Sequence, residues 1–442
     1  MVRRISLLAL ALLALDARVL PAQDTLTLDA AVADALAHNP SLVAANAAVR
    51  ASDARVTEAR SGYFPRVSFS ESWQRGNQPV FVFGSLLSSR RFTSQNFAID
   101  ALNQPDPIGF FHGAFGVEQM VFDGGRVRAG VDAAHRQRDI ADAGAAAARA
   151  GIALNVAQLY GRVLMSEAAQ RATAAAVAAA EEDEARAKHR RDVGTGTDAD
   201  VLALTVHLAD MRQRAIQAAG DADVARAELN RLMGAPVDRT YQVQEPAPQT
   251  APSGDLAALF AEADAARPEL RKAAAQSKLA EDGSRLARSV WYPQVAAQAG
   301  YELNGTTFTD RASAWVVGGE VRWSLSAGGA DLARTKAAAD DAAAARASAE
   351  DARAAVHVEV VSALRRLESA RARVAVGRSA VDQARESQRI IRDRFDAGMA
   401  GVSDVLRAAT AVLDAETQRV SALVDEISSD AMLRHALGRT QN

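Results

Sequence analysis

A pattern of twelve residues occurs twice in this chain, at 191–202 and at 395–406. In each copy a glycine is followed six residues later by an Asp-Val-Leu triplet, and the two glycines, Gly194 and Gly398, are 204 residues apart. Glycine readily adopts the left-handed backbone conformation that ends a helix, and an aspartate stabilises the start of the next helix. Each copy therefore predicts the tip of a helical hairpin.

The repetition extends beyond the tips. Asn-Pro-x-Leu at 39–42 corresponds to Arg-Pro-x-Leu at 267–270 with an offset of 228 residues, whereas Gly124-Gly125 and Gly328-Gly329 are 204 residues apart. The first half therefore has 24 extra residues (228 − 204) between its two predicted strands, in a segment rich in phenylalanine. An internal repeat of this size indicates a duplicated architecture.

Each half is interpreted as helix, strand, loop, strand, very long helix, tip and helix. Alternation of apolar and polar residues with a period of two predicts four strands. Their positions are about 66–74, 114–122, 294–303 and 314–325. The helical hairpins are predicted at 126–234 and 330–438. A helix of about 65 residues would be roughly 100 Å long, and apolar residues at intervals of seven predict that it packs as a left-handed coiled coil.

We divide the chain into four segments. They are a signal peptide at 1–22, a first structural repeat at 23–235, a proline-rich linker at 236–254 and a second structural repeat at 255–442. The first segment has the positive start, apolar run and small residue before the cut that are typical of a secretory signal. A buried N-terminal helix is the alternative. A transmembrane helix is excluded, because the apolar run is too short to span a bilayer.

The four strands have the length that tilted outer-membrane strands need. Tryptophan and tyrosine lie near their ends, as in the aromatic belt of a membrane barrel. Four strands cannot close a barrel, and lipid does not tolerate open sheet edges. Several chains would therefore have to share one barrel. A half-buried sheet in a soluble protein is the alternative.

The sequence lacks the residues that several other functions need. A net charge of −3 gives no basic footprint for nucleic acid, and the absence of cysteine excludes disulfides and thiolate metal sites. The seven histidines are scattered, without the helical spacing of metal ligands. Neither a phosphate-binding loop nor a Gly-x-Ser-x-Gly elbow occurs. We therefore expect no enzyme activity, and we predict neither a catalytic site, a metal site nor a cofactor.

With these elements in order, the chain resembles the TolC-type outer-membrane efflux proteins. The resemblance covers essentially the whole mature chain, in both halves. Each motif alone is weak, but together they are specific because they occur in the family's order. The motifs are Leu-Thr-Leu-Asp-Ala-Ala at 26–31, Asn-Pro-x-Leu at 39–42, Phe64-Pro65, Phe-Asp-Gly-Gly at 122–125 and the two Gly-x5-Asp-Val-Leu tips.

The resemblance implies a mainly α protein with a membrane β-barrel contribution. Three chains would form one twelve-stranded β-barrel in the outer membrane of a diderm bacterium, continued by an α-helical coiled-coil tunnel in the periplasm. The implied function is the exit duct of a tripartite efflux or type I secretion system, which conducts substrates passively. The implied partners are the other chains of the homotrimer, a periplasmic adaptor (membrane fusion) protein, an inner-membrane pump of the RND, ABC or a similar class, and outer-membrane lipid.

The resemblance also assigns roles to the tips. Asp200 and Asp404 correspond to carboxylates that narrow and charge the periplasmic entrance. Helix capping is the alternative role of these two residues, and both roles can coexist. Where the best-known member has a further aspartate in the second tip, this chain has Arg407, which weakens the expected cation selectivity. The expected adaptor-docking residues are Gly194, Val201, Leu202, Gly398, Val405 and Leu406.

Another class of protein fits part of this pattern. A soluble periplasmic coiled-coil scaffold or adaptor would have the same long helices, although it would need the strands to be soluble. The pattern does not indicate the exported substrate, which could be a drug, a metal or a protein, because a passive duct need not bind its cargo specifically. The class of pump is equally open.

Overall fold

The computed structural model describes residues 25–246, 255–325 and 328–439. The predicted signal peptide lies outside these residues. The helices are α1 (Leu28–His38), α2 (Pro40–Arg60), α3 (Pro79–Ser88), α4 (Ile99–Asn103), α5 (Arg126–Asp192), α6 (Asp198–Met233), α7 (Leu256–Ala266), α8 (Pro268–Arg288), α9 (Ala330–Asp396) and α10 (Val402–Ala436). The strands are β1 (Thr25–Leu26), β2 (Arg66–Gly76), β3 (Ile108–Phe122), β4 (Gln242–Val243), β5 (Gln294–Gly305) and β6 (Ala312–Arg322).

One of two compact units contains residues 44–147 and 268–355. It holds a four-stranded antiparallel sheet with the strand order β2-β3-β5-β6. The register places four aromatic residues side by side across the sheet. They are Phe69, Phe115, Tyr301 and Trp315. β2 and β6 are the outer strands, so each has one side without a partner strand among the described residues.

The two faces of this sheet differ in polarity, since residues directly opposite each other share a face. The mainly apolar face carries Val67, Phe69, Trp73, Phe111, Phe115, Val117, Tyr301, Leu303, Trp315, Val317 and Val321, together with the charged Glu71 and Arg75. The other, mainly polar face carries Ser68, Ser70, Ser72, Gln74, His112, Glu118, Gln298, Glu302, Asn304, Glu320 and Arg322, together with Phe110, Met120 and Val316. Such segregation is typical of a sheet that separates an apolar environment from an aqueous one.

The segment between β2 and β3 is not the loop predicted between the first two strands. It contains α3 and α4, and β3 begins at residue 108. The rings of Phe83 and Phe97 lie 4.8 Å and 5.0 Å from that of Phe92, measured between centroids. Arg91 pairs with Asp310 on the connection between β5 and β6. The loop prediction was wrong because these phenylalanines pack against one another, a contact that no local periodicity encodes.

Of the described residues, the other unit contains 25–43, 148–246, 255–267 and 356–439. Tyr160 is fully buried in its core, and the hydroxyl oxygen lies 2.8 Å from the carbonyl oxygen of Leu26 and 2.6 Å from that of Gln244. Burial raises the pKa of Tyr160 to about 12, so the hydroxyl remains a donor. It joins β1 to β4, which pair in parallel. Part of the predicted proline-rich linker is therefore a strand.

The long helices of this unit bury the residues that the heptad spacing places on one seam. On α9, Val360, Leu367, Val374 and Val381 recur at intervals of seven and are all at most 9% exposed. On α6, Val201, Leu204, Leu208 and Met211 are at most 7% exposed. This burial confirms the predicted coiled-coil packing. Among the described residues, no helix combines the length and the apolar character that crossing a membrane requires.

Candidate functional site at the hairpin tips

The first tip joins α5 to α6. Its central residue, Gly194, has a φ of +78°. The Gly194 N–H donates to the Arg191 carbonyl oxygen (3.0 Å) and the Thr195 N–H to the Arg190 carbonyl oxygen (2.8 Å), the Schellman arrangement that ends many helices. A Cβ at this position would meet no atom within 4 Å, so the positive φ alone requires glycine.

The second tip repeats this geometry between α9 and α10. Gly398 has a φ of +74°. Its N–H donates to the Phe395 carbonyl oxygen (3.0 Å), and the Met399 N–H donates to the Arg394 carbonyl oxygen (2.8 Å). Each of these four residues is the counterpart, 204 positions later, of a residue in the first tip. The duplicated sequence therefore builds the same turn twice.

The two tip aspartates cap the returning helices, but their charges are balanced differently. Asp200 Oδ2 accepts hydrogen bonds from the Thr197 N–H (3.1 Å) and hydroxyl (2.8 Å). Asp404 Oδ2 accepts from the Gly401 N–H (3.2 Å), and its Oδ1 accepts from Arg407 Nη2 (2.6 Å). No described basic side chain forms an ion pair with Asp200. One tip carboxylate is therefore neutralised by a neighbour, and the other is not.

The two tips share one hydrophobic core. Its buried members are Ala187, Val201, Leu204, Phe395, Val402 and Val405. Val201 is 7% exposed and Val405 is 1% exposed, whereas Leu202 is 65% exposed. Leu406 is partly buried against the core. Val201 and Val405, two of the six residues expected at an adaptor surface, are therefore buried inside the tip, because their heptad positions face the other hairpin.

A contact between the tips escaped the sequence analysis. The guanidinium of Arg190 lies 4.5 Å from the centroid of the Phe395 ring, and its Nη1 donates to the Phe395 carbonyl oxygen. The contact is not reciprocal, because the counterpart of Phe395 in the first tip is Arg191. The single aromatic residue in either tip pattern was the available signal, since arginine stacks favourably on an aromatic face.

Ion pairs surround the first tip. Glu184 accepts from Lys188 (2.9 Å) and from the Thr205 hydroxyl (2.7 Å), and these hydrogen bonds, chiefly that from Lys188, hold the pKa of Glu184 below its ordinary value. The hydrogen bond to Asp192 raises the pKa of Arg191. The described residues contain no group of histidine and carboxylate side chains that could hold a metal ion. The tips thus present to solvent two tight turns and the exposed apolar side chains of Val193, Leu202 and Met399. Asp200, which is partly exposed, and Asp396, which is exposed, form no ion pair with a described side chain.

The comparisons with known proteins agree with one another. The outer membrane efflux protein family matches residues 31–235 and 259–439. Among solved structures, the outer membrane protein VceC from Vibrio cholerae has 21% identity and a TM-score of 0.77, over 93% of this chain and 96% of VceC. The Campylobacter jejuni CmeC outer membrane channel has 16% identity and a TM-score of 0.81, over 93% of this chain and 86% of CmeC.

A third similar structure is the open state of the Neisseria gonorrhoeae MtrE outer membrane channel. It has 18% identity and a TM-score of 0.76, over 94% of this chain and 90% of MtrE. No curated protein sequence matches the chain significantly. At these identities the structural matches establish the fold, and the match over both halves of the chain establishes the family.

Proposed function

We propose that the two hairpin tips form the periplasmic entrance of an export duct, because the chain belongs to the outer membrane efflux protein family. The family relationship confirms the resemblance read from the sequence. The protein is an outer-membrane exit duct of the kind used by tripartite efflux systems, with a large helical part in the periplasm. A soluble scaffold is therefore wrong for this chain.

The family's architecture explains the incomplete sheet. Its members act as trimers together with adaptors and inner-membrane pumps, and the barrel forms only in the trimer. The unpaired outer edges of β2 and β6 would then pair with neighbouring copies, since an open edge is not tolerated in lipid. The polar face would line the lumen, and the apolar face would contact lipid. Residues 1–22 would direct export of the chain and be removed.

We assign adaptor docking to the tip residues that are exposed to solvent. Gly194 and Gly398 keep the turns narrow, and Leu202 supplies an exposed apolar contact. Leu406 supplies a smaller one. The buried Val201 and Val405 act indirectly, by fixing the angle at which the returning helices leave the turns.

Of the two capping aspartates, Asp200 contributes more than Asp404 to the charge of the entrance. Converging carboxylates in a narrow aqueous opening attract cations, and in a trimer the three copies of Asp200 would lack the arginine that neutralises Asp404. The observation that carries this assignment is the 2.6 Å contact of Arg407 with Asp404, which has no counterpart in the first tip.

A photo-crosslinking amino acid at Leu202 tests the docking assignment in cells that carry the native adaptor and pump. The expected product joins this chain to a periplasmic protein with a helical hairpin. Leu332 is the matched control, because it is also a leucine of a long helix with 65% exposure, but it lies at the start of α9, outside both tip patterns. Crosslinks at Leu202 to other copies of this chain alone would contradict docking.

A further inference from the structure

A cavity of about 310 Å³ lies between the two helical hairpins of the unit that contains the tips. Each of the four long helices α5, α6, α9 and α10 contributes to its wall. Met211 of α6 and Leu413 of α10 are apolar parts of the lining, and Ala180 and Met211 belong to a small buried cluster beside it. A molecule in this cavity would touch both hairpins at once.

Five of the six α5 residues that line this space are alanines. They are Ala172, Ala175, Ala176, Ala179 and Ala180. Their counterparts 204 positions later on α9 are Val376, Ser379, Ala380, Gln383 and Ala384, three of which are larger. Protein interiors are normally filled as closely as organic crystals. The small alanine side chains of α5 therefore leave this space unfilled.

The charged residues of the wall are already paired. Asp210 accepts from Arg214 (3.1 Å), and Glu416 accepts from Arg385 (2.6 Å). Asp183, which is 6% exposed, is paired with Arg392 at 3.0 Å. A ligand would therefore meet little uncompensated charge, and a charged ligand would have to break one of these pairs.

Two neutral polar groups of the wall keep hydrogen-bonding capacity. The imidazole of His207 and the carboxamide of Gln388 line the cavity and hydrogen-bond no other described side chain. Burial lowers the pKa of His207 below its ordinary value, so its ring is neutral at pH 7 and has one donor and one acceptor nitrogen. These groups could satisfy one hydroxyl or amide group of a ligand.

We propose that this cavity binds a small, flat and largely apolar molecule that carries one neutral hydroxyl group, with its rings on the alanine floor and the hydroxyl at His207. The volume sets the size of the molecule. A dry cavity of roughly 150 Å³ accommodates benzene, so the space here suits two fused aromatic rings. Because the walls come from both hairpins, occupancy stabilises their pairing by mass action.

The test uses the trimer in lipid nanodiscs, since detergent tails would compete for the alanine-lined part of the cavity. The probe is 2-naphthol. We expect saturable binding, measured by the fluorescence of the probe, and a higher thermal midpoint of the trimer at saturation. Ala176→Leu fills the cavity and should weaken binding at least tenfold. Ala380→Leu is the matched control in the second hairpin, at the equivalent position outside the cavity, and should leave binding unchanged.

A second variant, His207→Leu, tests the hydrogen bond separately from the volume of the cavity. Its result does not depend on whether the Ala176→Leu variant folds. His207→Leu should weaken binding of 2-naphthol several-fold and leave binding of naphthalene unchanged, because only the former has a hydroxyl. The proposal is overturned by an absence of saturable binding to the wild-type trimer, by equal losses in the Ala176→Leu and Ala380→Leu variants, or by equal effects of His207→Leu on both probes. None of these measurements depends on transport, so they test the cavity separately from the duct.

Discussion

The two tips have the same backbone and different surroundings. Gly194 and Gly398 end their helices with the same pair of hydrogen bonds, and Asp200 and Asp404 cap the next helices in the same way. Outside the turn the tips differ, because Arg407 neutralises only Asp404. The glycine and the capping aspartate therefore determine the turn in both copies. The charge and the contacts of each tip depend on residues that differ between the copies.

The largest expected change in stability comes from a difference in packing between the two tips. Phe395→Ala removes a buried ring from the shared core and the platform for Arg190, so we expect a loss of about 3–4 kcal/mol in local stability. Its counterpart is Arg191, which is exposed, and Arg191→Ala should change stability by less than about 0.5 kcal/mol. Hydrogen exchange of the tip amides measures both. Similar losses would show that the core does not hold the tips together.

The second prediction concerns what the tips have in common. Gly194→Ala and Gly398→Ala each place a Cβ at a positive φ and should cost about 1–2 kcal/mol, by similar amounts. Gly144, inside α5, also has open space around it but a helical backbone, so Gly144→Ala should instead stabilise by about 0.5–1 kcal/mol. Denaturation of the trimer measures all three. A destabilising Gly144→Ala, or harmless changes at the tips, would contradict the assigned turn conformations.

How far the sequence predicts this structure depends on the range of each interaction. Periods of two and seven are local, so the strands and the buried seam of α9 at Val360 and Leu367 were predictable. The fold and family follow from their order. The contact of Arg190 with Phe395 and the junction made by Tyr160 bring together residues far apart in sequence, and no local pattern encodes them. The same holds for the helices of the phenylalanine-rich segment.

At the tips, the pattern identified the glycines and the capping aspartates, because turn and cap chemistry is local. It did not separate the buried Val201 from the exposed Leu202, although they are adjacent. That distinction depends on which helix face meets the other hairpin. It likewise flagged Arg407 as a departure without indicating that its guanidinium reaches back one turn to Asp404.

A smaller effect is expected at the residues that begin the returning helices. The Thr197 hydroxyl accepts from the Asp200 N–H (3.2 Å), so Thr197→Ala should cost about 1 kcal/mol. The second tip has Gly401 at this position, and Gly401→Thr should change stability by only a few tenths of a kcal/mol, since glycine and threonine are about equally good caps. Denaturation of single and double variants checks the values. A large gain from Gly401→Thr would mean that the second tip is less well capped than its geometry indicates.

Of the two capping aspartates, Asp200 is expected to contribute more than Asp404 to the charge of the periplasmic entrance. The most direct test is the reversal potential of single channels in a planar bilayer under a salt gradient. Asparagine keeps a side-chain oxygen that can accept the hydrogen bond from the N-cap N–H. Asp200→Asn should therefore clearly lower cation preference with the trimer intact, Asp404→Asn should lower it much less, and Arg407→Ala should raise it. Equal shifts in the two aspartate variants, or no effect of Arg407→Ala, would contradict the claim that Arg407 makes the two tips electrostatically unequal.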